Sequence, residues 1–270
     1  MFLEKMRLSL FLRRQNVNWF KTFLINFRCL PWHQAVRLPI YIYSHTMLVS
    51  MGKIRIESRD VRRGMIRIGT RNFFSGYRTQ WINSGLVVFK GRFLIEAGTC
   101  INNSGTVVLG EESRFCENNK VLIVNGLTIG KSTQIAFDTV IMDTDFHTIV
   151  SVEKGVAKKA YDPVIIGDYN WIGNRSLVKK GTVTPDYAIV SSMSMLNKDY
   201  TSAPRYPLLG GCPAKVLGDG WRRLYHTEHN REINAFFKEH PDAKEYRIPE
   251  AGQVTAWDNW CLHGDDRLPF

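Results

Sequence analysis

Residues 166–196 read IGDYNWIGNRSLVKKGTVTPDYAIVSSMSML and repeat with a period of six. The side chains that recur at every sixth position are Ile166, Ile172, Val178, Thr184, Val190 and Leu196. A period of six fits neither the 3.6-residue period of a helix nor the alternation of a strand, so it indicates a unit of one short strand and one turn. Such units stack as coils and bury a continuous apolar column, which predicts a β-helix.

The same period continues towards the N-terminus. Three further runs carry it: Phe89, Ile95, Ile101 and Val107; Leu109 and Phe115; Ile123, Ile129, Ile135 and Ile141. Between these runs the phase shifts, which we interpret as one or two extra residues placed at a corner. The predicted fold class is therefore mainly β, a parallel β-helix of hexapeptide repeats over residues 51–217 with a loop at 148–163. An N-terminal helical segment (1–50) precedes it, and a C-terminal helix and tail (218–270) follow.

The N-terminal segment combines aromatic and basic residues. Its apolar side chains recur at helical spacing and include Phe2, Met6, Leu10, Trp19, Phe20, Phe23, Leu24 and Phe27. Such an amphipathic helix can lie in a membrane interface with its basic residues at the headgroups, which makes residues 1–30 a candidate for peripheral membrane contact. The alternative is packing of this helix on the β-helix or on a partner subunit.

The chain is basic, with a formal net charge of +11. Its predicted partners are anionic, namely phosphorylated cofactors or lipid headgroups rather than nucleic acid, and the alternative is a generally basic surface. The five cysteines are odd in number and scattered, which predicts reduced thiols and no zinc site, so no metal is expected. No apolar run reaches the length of a transmembrane helix.

His147 stands where the repeat fails. It follows Ile141 by six residues, in a position due for an aliphatic side chain, and residues 148–163 then depart from the pattern. The other six histidines lie before residue 51 or after residue 217. An imidazole titrates near neutrality and suits general-base chemistry, and Asp145 or Asp143 could orient it. The alternatives are a structural histidine at a coil end and turn-forming aspartates.

Three segments, read with the repeat, carry a family resemblance. They are Met142–His147 (MDTDFH), Asp168–Gly173 (DYNWIG) and Gly211–Val216 (GCPAKV). Over residues 51–217 the chain resembles left-handed β-helix acyltransferases, and more narrowly the O-acetyltransferases of bacterial capsule and O-antigen biosynthesis. The resemblance implies left-handed coils, three hexapeptides to each triangular coil, and a homotrimer with active sites between neighbouring chains.

The resemblance also implies a reaction and its residues. Acetyl-CoA is the expected co-substrate, with direct transfer to a sugar hydroxyl and His147 as general base assisted by Asp145. The other implied contacts are Asp143 and Trp171 with the substrate, and Gly173, Ser191, Ser192, Lys198 and Lys215 with CoA. The expected acceptor is a carbohydrate of a surface polysaccharide or its lipid-linked precursor. The expected location is the cytoplasm, at the inner face of the membrane.

Other functions compete with this one. Serine, amino-sugar and xenobiotic acetyltransferases share the chemistry, and a non-catalytic β-helix scaffold needs none of it. A β-helical carbonic anhydrase would need several histidines to hold zinc. A sugar nucleotidyltransferase would need a further nucleotide-binding domain, for which the sequence shows no glycine-rich loop.

Overall fold

The computed structural model describes residues 16–70, 75–248, 251 and 257–262. Residues 1–15, which include the first part of the predicted N-terminal helix, lie outside the described part. The chain divides into two compact units, Met1–Gly220 and Trp221–Phe270.

Short strands make up most of the first unit. Their bounds are β1 Ile40–Ile42, β2 Thr46–Ser50, β3 Lys53–Ile56, β4 Ile66–Thr70, β5 Thr79–Asn83, β6 Leu86–Phe89, β7 Phe93–Glu96, β8 Cys100–Asn103, β9 Thr106–Leu109, β10 Ser113–Phe115, β11 Lys120–Ile123, β12 Gly126–Ile129, β13 Gln134–Ile135, β14 Val140–Met142, β15 Ile149–Ser151, β16 Val156–Lys158, β17 Val164–Ile166, β18 Trp171–Ile172, β19 Leu177–Val178, β20 Val183–Thr184, β21 Ile189–Val190, β22 Met195–Leu196, β23 Leu208–Gly211 and β24 Ala214–Gly218.

Three parallel sheets form the sides of a prism. Sheet I has the order β1-β4-β7-β10-β13-β18-β21-β23-β24, sheet II the order β2-β5-β8-β11-β14-β19-β22, and sheet III the order β3-β6-β9-β12-β17-β20. Successive strands visit sheets I, II and III in turn, and only the terminal pair of sheet I, β23 with β24, is antiparallel. The predicted fold class, mainly β with a left-handed parallel β-helix, is confirmed.

The six-residue ladder corresponds to one inward side chain per side of the prism. Ile172 pairs with Val190 in sheet I, Val178 with Leu196 in sheet II, and Ile166 with Thr184 in sheet III. All six side chains are buried. Because like positions stack directly above one another, each coil needs its neighbours to complete its core, as in other repeat folds.

The phase shifts have a different origin from the predicted one. Val107 and Leu109 both lie in β9 and are both 1% exposed, so one strand carries two inward side chains. Ile95 pairs with Phe115 at an offset of 20 residues, whereas Ile172 pairs with Val190 at an offset of 18. The extra residues therefore lengthen strands and do not bulge at a corner, which corrects the prediction. A longer strand buries an additional apolar side chain, which a corner bulge would not.

The β-helix also starts earlier than residue 51. β1 pairs with β4 and β2 pairs with β5, so the first coil begins at Ile40. His45 lies in the turn between β1 and β2, with its Nε2 3.5 Å from the carbonyl oxygen of Gly76. His147 is thus one of two histidines between the first and last strands of the β-helix in the described chain.

Helix α1 (Trp19–Cys29) closes the N-terminal end of the prism, and the short α2 (Trp32–Ala35) follows it. The Asn26 amide donates to the carbonyl of Ile40 at 2.7 Å and accepts from the Ile40 N–H at 3.1 Å. Thr22 Oγ1 accepts from the N–H of Ile42 at 3.0 Å. These side chains satisfy backbone groups on the free edge of β1, an edge that would otherwise be open to association.

The second unit contains two described helices, α3 (Thr227–Glu239) and α4 (Trp257–Leu262). Helix α3 lies in the stretch where the sequence predicts a C-terminal helix. Most of the tail after residue 248 lies outside the described part.

Candidate active site

An excursion leaves the β-helix at the corner between sheets II and III, which we call the second corner. The chain departs after β14 and returns at β17. Thr144 bridges Tyr161, the Asp145 N–H donates to the Ala160 carbonyl at 2.8 Å, and further out β15 pairs antiparallel with β16. The predicted loop 148–163 is therefore a β-hairpin that is already paired from residue 144.

Asp143 anchors the base of this hairpin. Its carboxylate accepts the N–H groups of Val124, Asn125 and Gly126 at 2.9, 2.7 and 2.7 Å, and its side chain is fully buried. Both oxygens accept hydrogen bonds from the coil below, and the side chain has no exposed surface. The prediction that Asp143 contacts the substrate or the histidine does not fit this geometry, and its position is structural.

Asp145 ties the hairpin to the coil above. Its carboxylate lies 2.7 Å from Lys180 Nζ and 3.4 Å from Lys179 Nζ. The hydrogen bond from Lys180, with the charge of Lys179, lowers the pKa of Asp145 below its ordinary value. Lys180 also donates to the carbonyl of Lys159, on the returning arm of the hairpin, at 2.7 Å. These contacts hold both arms of the hairpin at its root.

His147 lies between the two paired parts of the hairpin and is exposed to solvent. It follows Phe146, whose φ of 59° turns the chain and whose N–H donates to Thr144 Oγ1 at 2.9 Å. Among the described residues, none shares a hydrogen bond with the imidazole, and the carboxylate of Asp145 is occupied by lysines. The sequence predicts that Asp145 orients the imidazole, but in this structure Asp145 makes no direct contact with it. Asp145 instead fixes the backbone two residues before His147.

Three of the predicted CoA residues, Gly173, Ser191 and Ser192, lie at the corner between sheets I and II, which we call the first corner. The N–H groups of Gly173 and Ser191 donate to the carbonyls of Val190 and Leu209, each at 2.8 Å, and Ser192 Oγ lies 2.6 Å from Asn174 Oδ1. A Cβ on Gly173 would stand 2.5 Å from the backbone nitrogen of Ser192, so only glycine fits there. The corner is thus a narrow backbone ridge.

Of the other predicted binding residues, Trp171 and Lys215 flank this ridge, whereas Lys198 does not. Trp171 in β18 is 40% exposed on the outer face of sheet I, two residues before Gly173. Lys215 in β24 pairs with Gly210 in β23. Gly210 lies beside the ridge, because a Cβ built on it would be 3.0 Å from Ser191 Oγ. Lys198 instead lies at the second corner, where its carbonyl accepts from Val183 and its Nζ is 5.4 Å from the Tyr200 ring.

The candidate residues therefore fall into two groups on one chain. His147, Asp145 and Lys198 belong to the second corner, and Trp171 with the glycine–serine ridge belongs to the first. The strands of sheet II separate the two corners. The sequence analysis did not identify Lys179 and Lys180 as part of the site. Their position in the repeat could have indicated it, because they directly follow Val178, and Val178 pairs with Ile141 in the strand that leads into the hairpin.

Two features are absent from the described residues. No group of three or more His, Cys, Asp or Glu side chains in that part of the chain is arranged to hold a metal ion. No helix within the same residues is long and apolar enough to cross a membrane.

Solved structures similar to this one include several acyltransferases. The polySia specific acetyltransferase NeuO is 18% identical, with 78% of this chain and 91% of that chain covered and a TM-score of 0.44. The polysialic acid O-acetyltransferase OatWY is 19% identical, with 71% of this chain and 96% of that chain covered and a TM-score of 0.43. A mutant of AntD, an N-acyltransferase from Bacillus cereus solved with dTDP and coenzyme A, is 16% identical, with 74% of this chain and 88% of that chain covered and a TM-score of 0.41. No protein-family model matches the sequence.

Proposed function

We propose that the protein is an acetyl-CoA-dependent O-acetyltransferase that acetylates a sugar hydroxyl of a bacterial surface polysaccharide or its precursor, with His147 as general base. The observation that carries the proposal is the setting of His147. It is a solvent-exposed histidine on a hairpin whose root is fixed by a buried aspartate and by an aspartate–lysine cluster. A scaffold protein has no need to hold one exposed imidazole on such a support.

The chemistry requires few groups. The neutral imidazole of His147 takes the proton of the acceptor hydroxyl while that oxygen attacks the thioester carbonyl carbon of acetyl-CoA. The carbon–sulfur bond then breaks, and the thiolate of CoA receives the proton from the imidazolium. The products are the sugar ester and CoA, and the imidazole is neutral again. No cysteine lies beside His147 on the hairpin, which favours direct transfer over an acyl-enzyme.

The first corner suits the acyl donor. Its ridge is free of bulky side chains at Gly173, so an extended pantetheine arm can approach the backbone, and the exposed Lys215 can attract a phosphate of CoA. Because the ridge and His147 lie on different corners of one chain, the proposed site is assembled when the ridge of one copy meets the hairpin of another. A cyclic trimer arranges this three times.

The proposal is tested by the release of CoA from acetyl-CoA in the presence of polysaccharide or oligosaccharide acceptors. We expect His147→Ala to lower the rate about 10²–10⁴-fold, the usual contribution of a general base. His45→Ala is the matched control, because His45 lies in the first coil whereas the hairpin of His147 leaves the fifth, and it should retain the wild-type rate. Unchanged thermal unfolding of both variants separates chemistry from folding.

The competing functions give different results in the same assay. Equal rates for His147→Ala and the wild type would remove His147 as the base. Acetylation of serine, an amino sugar or a xenobiotic, with sugar hydroxyls left unmodified, would favour one of the other acetyltransferase classes. No turnover with any acceptor, together with no retention of CoA in equilibrium dialysis, would favour the scaffold.

A further inference from the structure

The outward face of α1 and α2 carries a continuous band of large apolar side chains, which we call the aromatic band. Its members are Trp19, Phe20, Phe23, Leu24, Phe27 and Trp32, all at least 39% exposed. The opposite face of α1 buries Thr22, Ile25 and Asn26 against the first coil. The buried face therefore holds the helix as a cap on the first coil. One ring of the band, Trp19, also contacts that coil, with its centroid 5.5 Å from that of Tyr41 in β1.

Four of the five rings of the aromatic band form one connected row. Ring centroids lie 6.3 Å apart for Trp19–Phe23 and for Phe23–Phe27, and 5.3 Å apart for Phe27–Trp32. The most exposed members, Phe20 at 78% and Trp32 at 74%, stand furthest into solvent. Contiguous exposed apolar surface of this kind marks a site of contact with a partner or a membrane.

A basic groove adjoins the band. It encloses about 590 Å³ and is lined by Arg28, Cys29, Pro31 and Gln34 on one side and by residues 52–57 of the β3 region on the other. Arg28 and Cys29 directly follow Phe27, so the groove begins where the row of rings passes from α1 to α2. The one acidic side chain in its lining, Glu57, is held at 2.5 Å by Lys90.

The backbone of β3 adds hydrogen-bond donors to this groove. β3 is the end strand of sheet III, and its residues 53 and 57 bond towards β6. Strand alternation then turns the N–H groups of Ile54 and Ile56 towards the groove, where the Ile56 carbonyl already meets the Gln34 amide at 3.2 Å. With Arg28, Lys53 and Arg55, these donors suit an anionic oxygen such as that of a phosphate.

Charge complementarity decides which occupant fits. Residues 16–63 contain eight Lys and Arg and two acidic residues, and both acidic residues are paired, Glu57 with Lys90 and Asp60 with Arg62. Arg63 stands over the Trp19 ring at 5.6 Å, at the edge of the band. In a bilayer interface, aromatic side chains insert below the lipid phosphates, and basic side chains stay at the level of the phosphates. The aromatic rings and the adjoining unpaired basic groups of this surface match that arrangement.

We propose that this end of the β-helix docks on an anionic phospholipid membrane. The aromatic band enters the interface, and the basic groove receives a headgroup phosphate. This inference stands apart from the acetyltransferase proposal, because it concerns binding at the N-terminal end and involves neither His147 nor the glycine–serine ridge. An acceptor attached to a lipid would meet an enzyme held in this way at the membrane surface.

The test is co-sedimentation of the full chain with vesicles of phosphatidylcholine, with and without about one third phosphatidylglycerol, in the absence of acyl donor and acceptor. We expect binding to the anionic vesicles and a loss of roughly tenfold or more in partition for the double variant Phe20→Ser, Trp32→Ser. The matched control is Tyr77→Ser, Trp221→Ser, which removes two comparably exposed rings elsewhere (74% and 63%) and should stay within about twofold of the wild type.

The groove is tested separately. Arg28→Gln with Arg55→Gln should remove most of the preference for anionic over neutral vesicles, whereas Lys120→Gln with Lys154→Gln, two exposed lysines outside the groove, should retain it. The proposal would be overturned if the Phe20→Ser, Trp32→Ser variant and its control lost vesicle binding to the same extent. It would also be overturned if the wild type did not pellet with anionic vesicles. Self-association without vesicles that the Phe20→Ser, Trp32→Ser variant abolishes would overturn it as well, since the band would then belong to a second copy.

Discussion

At the scale of single residues, the two aspartates near His147 have the same side chain and different functions. Asp143 is buried and holds three backbone N–H groups, whereas Asp145 is partly exposed and holds two lysines. The difference comes from the pairing of the hairpin arms, which turns one carboxylate into the coil and the other towards the coil above.

Replacing Asp143 should destabilise the protein strongly. Asp143→Ala leaves three N–H groups of residues 124–126 without an acceptor in a buried site, and we expect a loss of about 3 kcal/mol in the free energy of unfolding. Asp162→Ala is the control, because Asp162 is exposed on the same hairpin and its loss should cost less than about 0.5 kcal/mol. Urea unfolding measures both, and equal effects would contradict the anchoring role.

The pairing of Asp145 should make a small part of the stability depend on pH. The lysines lower the pKa of Asp145 in the folded state, so its contribution is present above the ordinary aspartate pKa and is lost as the pH falls through the lowered value. We expect Asp145→Asn to be less stable than the wild type by up to about 1 kcal/mol at pH 7, since the groups are partly exposed. The difference should shrink as the pH falls below the ordinary aspartate pKa and through the lowered one. A difference independent of pH would argue against the ion pairs.

At the scale of elements, α1 replaces a missing strand. Within the part of the chain that the structure describes, no coil lies below the first strand of sheet I, and the side chains of Thr22 and Asn26 supply the hydrogen bonds that a further strand would have made. The helix thus ends the repeat in the way that capping units end other stacked folds.

Removing the cap contacts should weaken the first coil. Asn26→Ala leaves both backbone groups of Ile40 unsatisfied in a buried place, and we expect a loss of about 2–3 kcal/mol with early exchange of amide protons in β1. Asn230→Ala, on the exposed side of α3, should be close to neutral. Hydrogen exchange that is unchanged in β1 would show that α1 does not stabilise this edge.

At the scale of the whole molecule, the proposed active site is divided between two corners of the prism. One chain carries His147 on the second corner and the glycine–serine ridge on the first, and the proposed trimer joins them across an interface. Two variants that are inactive for different reasons should therefore complement each other.

Mixing His147→Ala with Ser192→Trp, which blocks the ridge at an exposed position, tests the division of the site. In a randomly mixed cyclic assembly about a quarter of the interfaces combine an intact hairpin with an intact ridge, so we expect roughly a quarter of the wild-type rate of CoA release. Each variant alone should be nearly inactive. No recovery after co-refolding would indicate that the site lies within one chain.

The amino-acid pattern was enough to predict the fold class, because a six-residue period in aliphatic side chains can bury its column only by stacking coils. It also singled out His147, since the repeat fails there. Three features became visible only in the folded chain: the start of the first coil at Ile40, the location of the two phase shifts in longer strands, and the separate positions of Asp143 and Asp145. These depend on which coil each residue stacks against, and stacking joins residues about 20 or more positions apart, a distance that local periodicity does not encode.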